Sequence, residues 1–303
     1  MACAQSLVSA GHGVTLIDKG RGAGGRMAAR RMATSLGEVT FDHGAQYFTA
    51  KDHGFKAQVS RWADAGVVAP WLPGGGDAWV GTPAMNAPLK AMADDLDVRW
   101  GTRATAVSRN AGGWTVATED GGLITADAIV TALPAEQTAD LLTPVAGTFG
   151  DVARATPSAP CWTVMLAFSA KLATAEDRLR GSDADALGWA ARNSSKPGRG
   201  AVETWVMQAG ADWSAENLEA PAEMIELRMM NALADGLGLD LPEPLVQTSH
   251  RWRFARSGRA RTDRLWDPEM RLGVCGDWLL GPRIEDAWRS GTDLARHMAG
   301  DLG

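Results

Sequence analysis

Tyrosine is nearly absent. The 303-residue chain holds one, Tyr47, beside thirteen tryptophans and six phenylalanines. Lysine is scarce as well: Lys19, Lys51, Lys56, Lys90, Lys171 and Lys196 are the only six, and arginine supplies the rest of the 30 basic residues. The three cysteines, Cys3, Cys161 and Cys275, lie far apart with no Cys-x-x-Cys pair. That spacing argues against a disulfide framework and against a cysteine zinc site. His12, His43, His53, His250 and His297 are scattered without ligand spacing, so no metal is expected. No apolar run approaches the ~18 residues of a membrane span, and no basic segment leads into an apolar leader. No membrane partner and a cytoplasmic location are therefore expected. A formal net charge of −6, with acids and bases interspersed, speaks against a nucleic-acid partner. There is no nucleophile elbow for a serine hydrolase and no internal repeat.

One further absence matters more. The stretch VTLIDKGRGAGGRM, Val14 to Met27, has the texture of a dinucleotide-binding unit: an apolar strand, a terminal acid at Asp18, then a glycine-rich turn with a basic edge. Ala2 to Ala10 reads as a helix stopped by Gly11-His12-Gly13. Such a unit carries a Gly-x-Gly-x-x-Gly loop about 20 residues before its acid, and the seventeen residues before Asp18 hold none. The sequence thus predicts an α/β fold, a Rossmann-like dinucleotide-binding domain whose first strand and phosphate loop are missing through truncation or a misassigned start, with a gap beside Val14 to Asp18. Asp18 at a strand end suits the hydroxyls of a ribose. Gly24 and Gly25 let backbone approach an anion, and Arg26 adds a charged fork.

Further along, Phe55 to Met92 mixes tryptophans, turns and a closing helix. Residues 97–134 read as strands and hairpins that finish on an apolar strand, Ala128 to Leu133. Pro160 to Phe168, Ala201 to Ala209 and the segment around His250 read as strands, the stretch Arg180 to Gly200 as loop, and Ala220 to Leu237 as an amphipathic helix. An apolar strand ending in Gly276-Asp277 precedes a closing helix. Dinucleotide features at both ends predict a discontinuous dinucleotide-binding domain from residues 1–54, 98–150 and 268–303, which the resemblance below makes an FAD-binding domain. A mixed β-sheet substrate domain is expected from 55–97 and 151–267.

These motifs carry a resemblance. VTLIDKGRGAGGRMAARR with FDHGAQYF, and GVCGDWLLGPRIEDAWRSGTDLA near the C-terminus, resemble the terminal signatures of FAD-dependent amine-oxidase-like flavoproteins. WVGTPAMNAPLKAMA, AARNSSKPGR and HRWRFA resemble the renalase-like branch. The resemblance implies cofactor contacts at Asp18 and Lys19, at Gly24, Gly25, Arg26 and Met27, and at Gly44, Ala45 and Gln46. It implies further contacts at Val107, at Gly276 and Asp277, and at Ile284, Glu285 and Ala287. Cys275 lies outside a flavin-linking context, so noncovalent FAD is expected.

The activity implied is hydride transfer from a 2- or 6-dihydro isomer of NAD(P) to flavin, with dioxygen as electron acceptor, NAD(P)+ and hydrogen peroxide as products, and no catalytic base assigned. Trp189, Arg192, Asn193, His250, Trp252 and Trp288 are the substrate-pocket candidates. Two alternatives stand beside this reading: an amine oxidase or desaturase on the same fold, and a truncated chain that holds no FAD and is inactive.

Overall fold

The computed structural model describes residues 1–262 and 264–303. They fall into two compact units, each assembled from separated pieces: Met1–Ala23, Leu89–Ser158 and Ser257–Gly303 form the first, Gly24–Pro88 and Ala159–Arg256 the second. Residues 24–54, grouped by the sequence reading with the N-terminal piece, pack in the second unit, and the later boundaries shift by about ten residues.

The first unit holds both parallel strand pairs. Thr15–Asp18 pairs with Asp97–Trp100, and Ile129–Thr131 pairs with Leu272–Val274. The apolar runs that form them suit strands covered on both faces. Thr15–Asp18 has one ladder partner among the described residues. The helix Ala2–Ser9 packs on the closing helix Ile284–Leu302. The contact is close because Gly291 lacks a side chain: a Cβ there would stand 3.0 Å from the Cys3 nitrogen. Cys3, Leu7, Cys275, Leu294, Ala295 and Met298 form the apolar cluster between these elements. A second cluster joins Val107, Trp114, Ile129, Leu142, Leu272 and Trp278. Trp114 is buried whole and still satisfies its indole, which donates to the Met270 carbonyl at 2.8 Å.

The second unit is built on a five-stranded antiparallel sheet, in the order Arg178–Arg180, Trp189–Arg192, Glu203–Gln208, Ala159–Phe168, Val246–Arg256. Trp189–Arg192 lies inside the stretch read from sequence as loop. Its four residues are too few to show an alternation, and it is a strand because the ladder to Glu203–Gln208 makes it one. One sheet face, carrying Trp162, Val164, Leu166, Phe168, Trp205 and Met207, packs on Ile225, Met229 and Leu233. Those three residues, spaced four apart, lie on one side of the helix Ala222–Leu237. The helix stops at Gly238, whose φ of +64° is the left-handed conformation that ends helices cheaply in glycine. At one end of the opposite face Met165, Ala167 and Val206 pack on Val39 and Phe41 of the strand Gly37–Phe41. No helix among the described residues is long and apolar enough to cross a membrane.

Candidate functional site

In the first unit the parallel strands deliver two carboxylates. Asp18 ends its strand exposed; its Oδ1 accepts the Gly20 N–H at 2.6 Å, while Oδ2 has no hydrogen-bond partner among the described residues. One oxygen therefore closes the turn, and the other is placed to accept from a ligand hydroxyl. Lys19 beside it is exposed. Asp277 follows the strand Leu272–Val274 by three residues and is 6% exposed. Its Oδ2 accepts from the Ser257 hydroxyl at 2.9 Å and its Oδ1 from the Trp278 N–H at 2.9 Å. Gly276 is required there, since a Cβ would lie 2.8 Å from the Trp278 ring. On the neighbouring strand the buried Thr131 hydroxyl has no hydrogen-bond partner among the described residues. The carboxyl ends of parallel strands are where α/β sheets bind nucleotide ligands. Asp277 and the Thr131 hydroxyl end neighbouring strands and Asp18 ends the other parallel pair, and each is a polar group of the kind that could meet a nucleotide cofactor.

Val107 is buried in the Trp114 cluster, and its side chain packs there. At the start of the closing helix Ile284 is half-buried, Glu285 is 2% exposed and ion-paired with Arg283, and Ala287 is exposed. Trp288 is half-buried on the same helix. It belongs to the first unit, whereas the other five pocket candidates belong to the second.

In the second unit Gly24 precedes a short turn of helix, Gly25–Met27. Gly25 has φ +51° and open space where a side chain would stand, while Met27 is buried. Arg26 donates to the Ala255 carbonyl at 3.3 Å. Its own carbonyl accepts the Ala45 N–H at 2.8 Å, and a Cβ on Gly44 would collide with that carbonyl oxygen at 2.1 Å. Only glycine allows this approach. The Gly44 carbonyl in turn accepts from Gln208 at 2.7 Å and Gln46 at 3.0 Å.

Beneath this loop lies a buried charged cluster. Asp42 and Lys196 have fully buried side chains with Nζ 3.1 Å from Oδ2, and Arg199 donates to the same oxygen. Lys196 also donates to Gln46 Oε1 at 3.1 Å and sits 5.5 Å from the Trp71 ring centroid. Burial alone would raise the Asp42 carboxyl, but Lys196, Arg199 and the Met85 N–H outweigh it and hold it below the usual carboxylate range. Burial pushes the Lys196 ammonium down to about 8, against the opposing pull of Asp42.

The sheet register brings the remaining candidates together. Trp189 pairs with Gln208, Gln208 with Thr163, and Thr163 with His250. The four form one row across four strands, on the face that carries Met165 and Val206. Trp252, two residues beyond His250, shares that face. Its indole donates to the His43 carbonyl at 2.8 Å, and its ring stacks on the His43 imidazole at 5.2 Å with the planes 27° apart. His250 stands edge-on to both rings, and its Nδ1 is 3.3 Å from a nitrogen of Arg30. Burial, the neighbouring His250 and Arg30 push the His43 imidazole down to about 4. Burial and Arg30 lower His250 too. Both rings are neutral at pH 7. Trp189 stands 5.6 Å from the Tyr47 ring, and its buried indole N–H has no partner.

Two pocket candidates are bonded to the protein itself. Arg192 is buried and commits its guanidinium to Glu203 at 3.1 Å, Asp177 at 3.0 Å and the Thr174 carbonyl at 2.9 Å. Asn193 is fully buried, donating to the Thr40 carbonyl at 2.8 Å and accepting the Asp42 N–H at 3.4 Å. Both hold loops to the sheet, because a buried polar group stays where its hydrogen bonds are met. The sequence reading missed Arg30, Thr163 and Gln208. The period-2 spacing of CWTVMLAF and ETWVMQ carried the signal for the last two.

The chain belongs to the family of flavin containing amine oxidoreductases, whose model matches residues 72–299. Residues 1–62 match the NAD(P)-binding Rossmann-like domain. Among solved structures the chain is similar to a putative protoporphyrinogen oxidase from Exiguobacterium sp. 255-15. The TM-score there is 0.60 at 15% identity, over 74% of this chain and 52% of that one. It is also similar to cyclohexylamine oxidase from Brevibacterium oxydans IH-35A, with TM-score 0.57 at 13% identity over 75% and 55% of the two chains. A putrescine oxidase redesigned in its cofactor binding matches with TM-score 0.65 at 12% identity, over 99% and 96%. The chain spans about half the length of the first two structures. These likenesses establish the fold: mixed α/β, Rossmann-like, with parallel pairs and added antiparallel sheets.

Proposed function

We propose that this chain is an oxidase that holds FAD noncovalently and takes hydride from a 2- or 6-dihydro isomer of NAD(P), with dioxygen as the final acceptor. One molecule of dihydro dinucleotide, one dioxygen and one proton give NAD(P)+ and hydrogen peroxide. Asp18 and Asp277 would hold the cofactor through its hydroxyls. FAD supplies the hydride-accepting chemistry when bound.

The observation that carries the substrate reading is the row Trp189–Gln208–Thr163–His250 with Trp252 beside it. It offers flat aromatic walls, a carboxamide and an imidazole that burial and Arg30 hold below its ordinary pKa, and it contains no carboxylate. A dihydronicotinamide ring gives up hydride without first losing a proton, so its oxidation needs no base, and a neutral row suits it. Arg30 next to His250 adds positive charge, which repels an ammonium ion and attracts the diphosphate of a dinucleotide. An amine substrate is the second reading, favoured by the family description and by the cyclohexylamine and putrescine oxidases of similar fold.

The purified protein, loaded with FAD, is mixed anaerobically with 6-dihydro-NAD or with a panel of primary amines. Bleaching of the flavin by the dinucleotide, followed by peroxide release on aeration, is expected. Bleaching by amines alone replaces the first reading with the second. Failure to retain or take up any FAD sinks both and leaves a chain that holds no flavin.

A further inference from the structure

We propose that Ser257 is the positioning residue for Asp277, holding its carboxylate in the orientation that receives the cofactor. The inference rests on the FAD reading above and adds to it a residue that no motif marks.

Ser257 and Asp277 are each 6% exposed, and the hydroxyl donates to Oδ2 at 2.9 Å. With Oδ1 taken by the Trp278 N–H, both oxygens are anchored and the plane of the carboxylate is fixed. The serine reaches this place through backbone. It is the first residue beyond the strand Val246–Arg256. The segment after it is tied alongside Trp278 and Leu279 by the bonds Ala260 N–H to Trp278 O at 2.8 Å and Thr262 N–H to Leu279 O at 3.1 Å. Gly258 lets it turn there, since a Cβ would lie 2.8 Å from the Pro157 carbonyl oxygen. The hydroxyl thus meets the acid by construction.

A buried carboxylate keeps its charge and its rotamer only while donors face it. Each oxygen has two lone pairs, and the bond from Ser257 sets the direction of Oδ2 by engaging one of them. Removing the hydroxyl leaves the acid in place, less well aimed and less well solvated.

The test measures FAD affinity of the deflavinated 303-residue protein by fluorescence titration, alongside its melting temperature without FAD. Ser257→Ala should weaken FAD binding about ten-fold, the scale of one hydrogen bond to a charged group. Ser257→Thr, which keeps the hydroxyl, should stay within about two-fold of wild type, while Ser257→Val, of the same shape, should behave like alanine. In an Asp277→Asn background Ser257→Ala should change affinity by less than about two-fold, because the group it orients has already lost its charge. A purely structural serine would lower the melting temperature and penalise FAD equally in both backgrounds.

Affinity of Ser257→Ala within about two-fold of wild type, or an undiminished penalty in the Asp277→Asn background, overturns the proposal. If the alanine variant does not fold, the threonine–valine pair decides in its place. Wild-type protein that binds no FAD overturns the cofactor reading itself, and this inference with it. That result is distinct from a wild type that binds and a serine variant that binds equally well.

Discussion

Lys196→Met should destabilise the second unit by about 3 kcal/mol, near the low end of the 3–5 kcal/mol typical when one partner of a buried ion pair is removed. The low end applies because Asp42 keeps Arg199 and the Met85 N–H after the lysine is gone. Methionine preserves the stem against Trp71, so lost packing adds little. For a unit of this size the loss corresponds to roughly 6–12 °C in Tm. Asp42→Ala should cost more, since it leaves two buried cations, Lys196 and Arg199, facing each other without an anion.

Lys196 also gives the wild type a distinctive pH profile. Its ordinary value of 10.5 applies in the unfolded chain and about 8 in the folded one, so between those values the unfolded chain holds more protons. Stability therefore rises with pH across that window, by at most about 3 kcal/mol. In Lys196→Met the rise disappears. Urea denaturation followed by tryptophan fluorescence at pH 7.5 and near pH 10 reads both effects. A variant within about 0.5 kcal/mol of wild type at neutral pH, or one that keeps the alkaline rise, would refute the reasoning.

His43 should make the fold acid-sensitive: it is neutral in the folded state down to about pH 4 and protonates near 6.5 when unfolded, so stability falls as pH drops through that interval. The loss should approach about 3 kcal/mol, and a urea series from pH 7 to 4 should flatten in His43→Phe, which keeps the stack on Trp252. Gly44→Ala should yield little folded protein, judged by soluble expression and Tm, because its Cβ would overlap the Arg26 carbonyl. Cys3 and Cys275 are buried, so both should resist a thiol reagent in native buffer and react fully in guanidinium; rapid native labelling would show the cluster around them to be open.

Elements with a strong local signature were legible from the sequence. The helix Ala222–Leu237 shows a 3.6-residue apolar period and a glycine stop, and the strands ending at Asp18 and before Asp277 show apolar runs closed by acids. The strand Trp189–Arg192 was not, because its assignment depends on a ladder partner rather than on its own residues. Arg192 and Asn193 stand among the pocket candidates, yet both side chains are spent on the protein itself. Their partners Glu203, Asp177 and Thr40 lie up to about 150 residues away in sequence, and no local pattern announces them. The row from Trp189 to His250 lies between these cases. Three of its four strands are legible as strands, but the registers that align four side chains are set by pairing. Ser257 carries no motif at all, and only the bonds of residues 260 and 262 bring it to Asp277.

The first unit is made of three pieces, the last beginning at Ser257, and this bears on how the protein is born. The strand Ile129–Thr131 meets its parallel partner Leu272–Val274 only about 140 residues later in synthesis. At ordinary ribosomal speeds of about 5–20 residues per second that is a wait of roughly 7–30 s. The second unit has all its strands once Arg256 has left the exit tunnel. The first must keep Ile129, Val107 and Trp114 uncovered until the closing strand and helix emerge. Nascent chains stalled before residue 272 should therefore expose this apolar surface to chaperones while their second unit is already protease-resistant. Asp277 emerges only after the strand Leu272–Val274, so the acid reaches its place on Ser257 no earlier than the closing of this sheet.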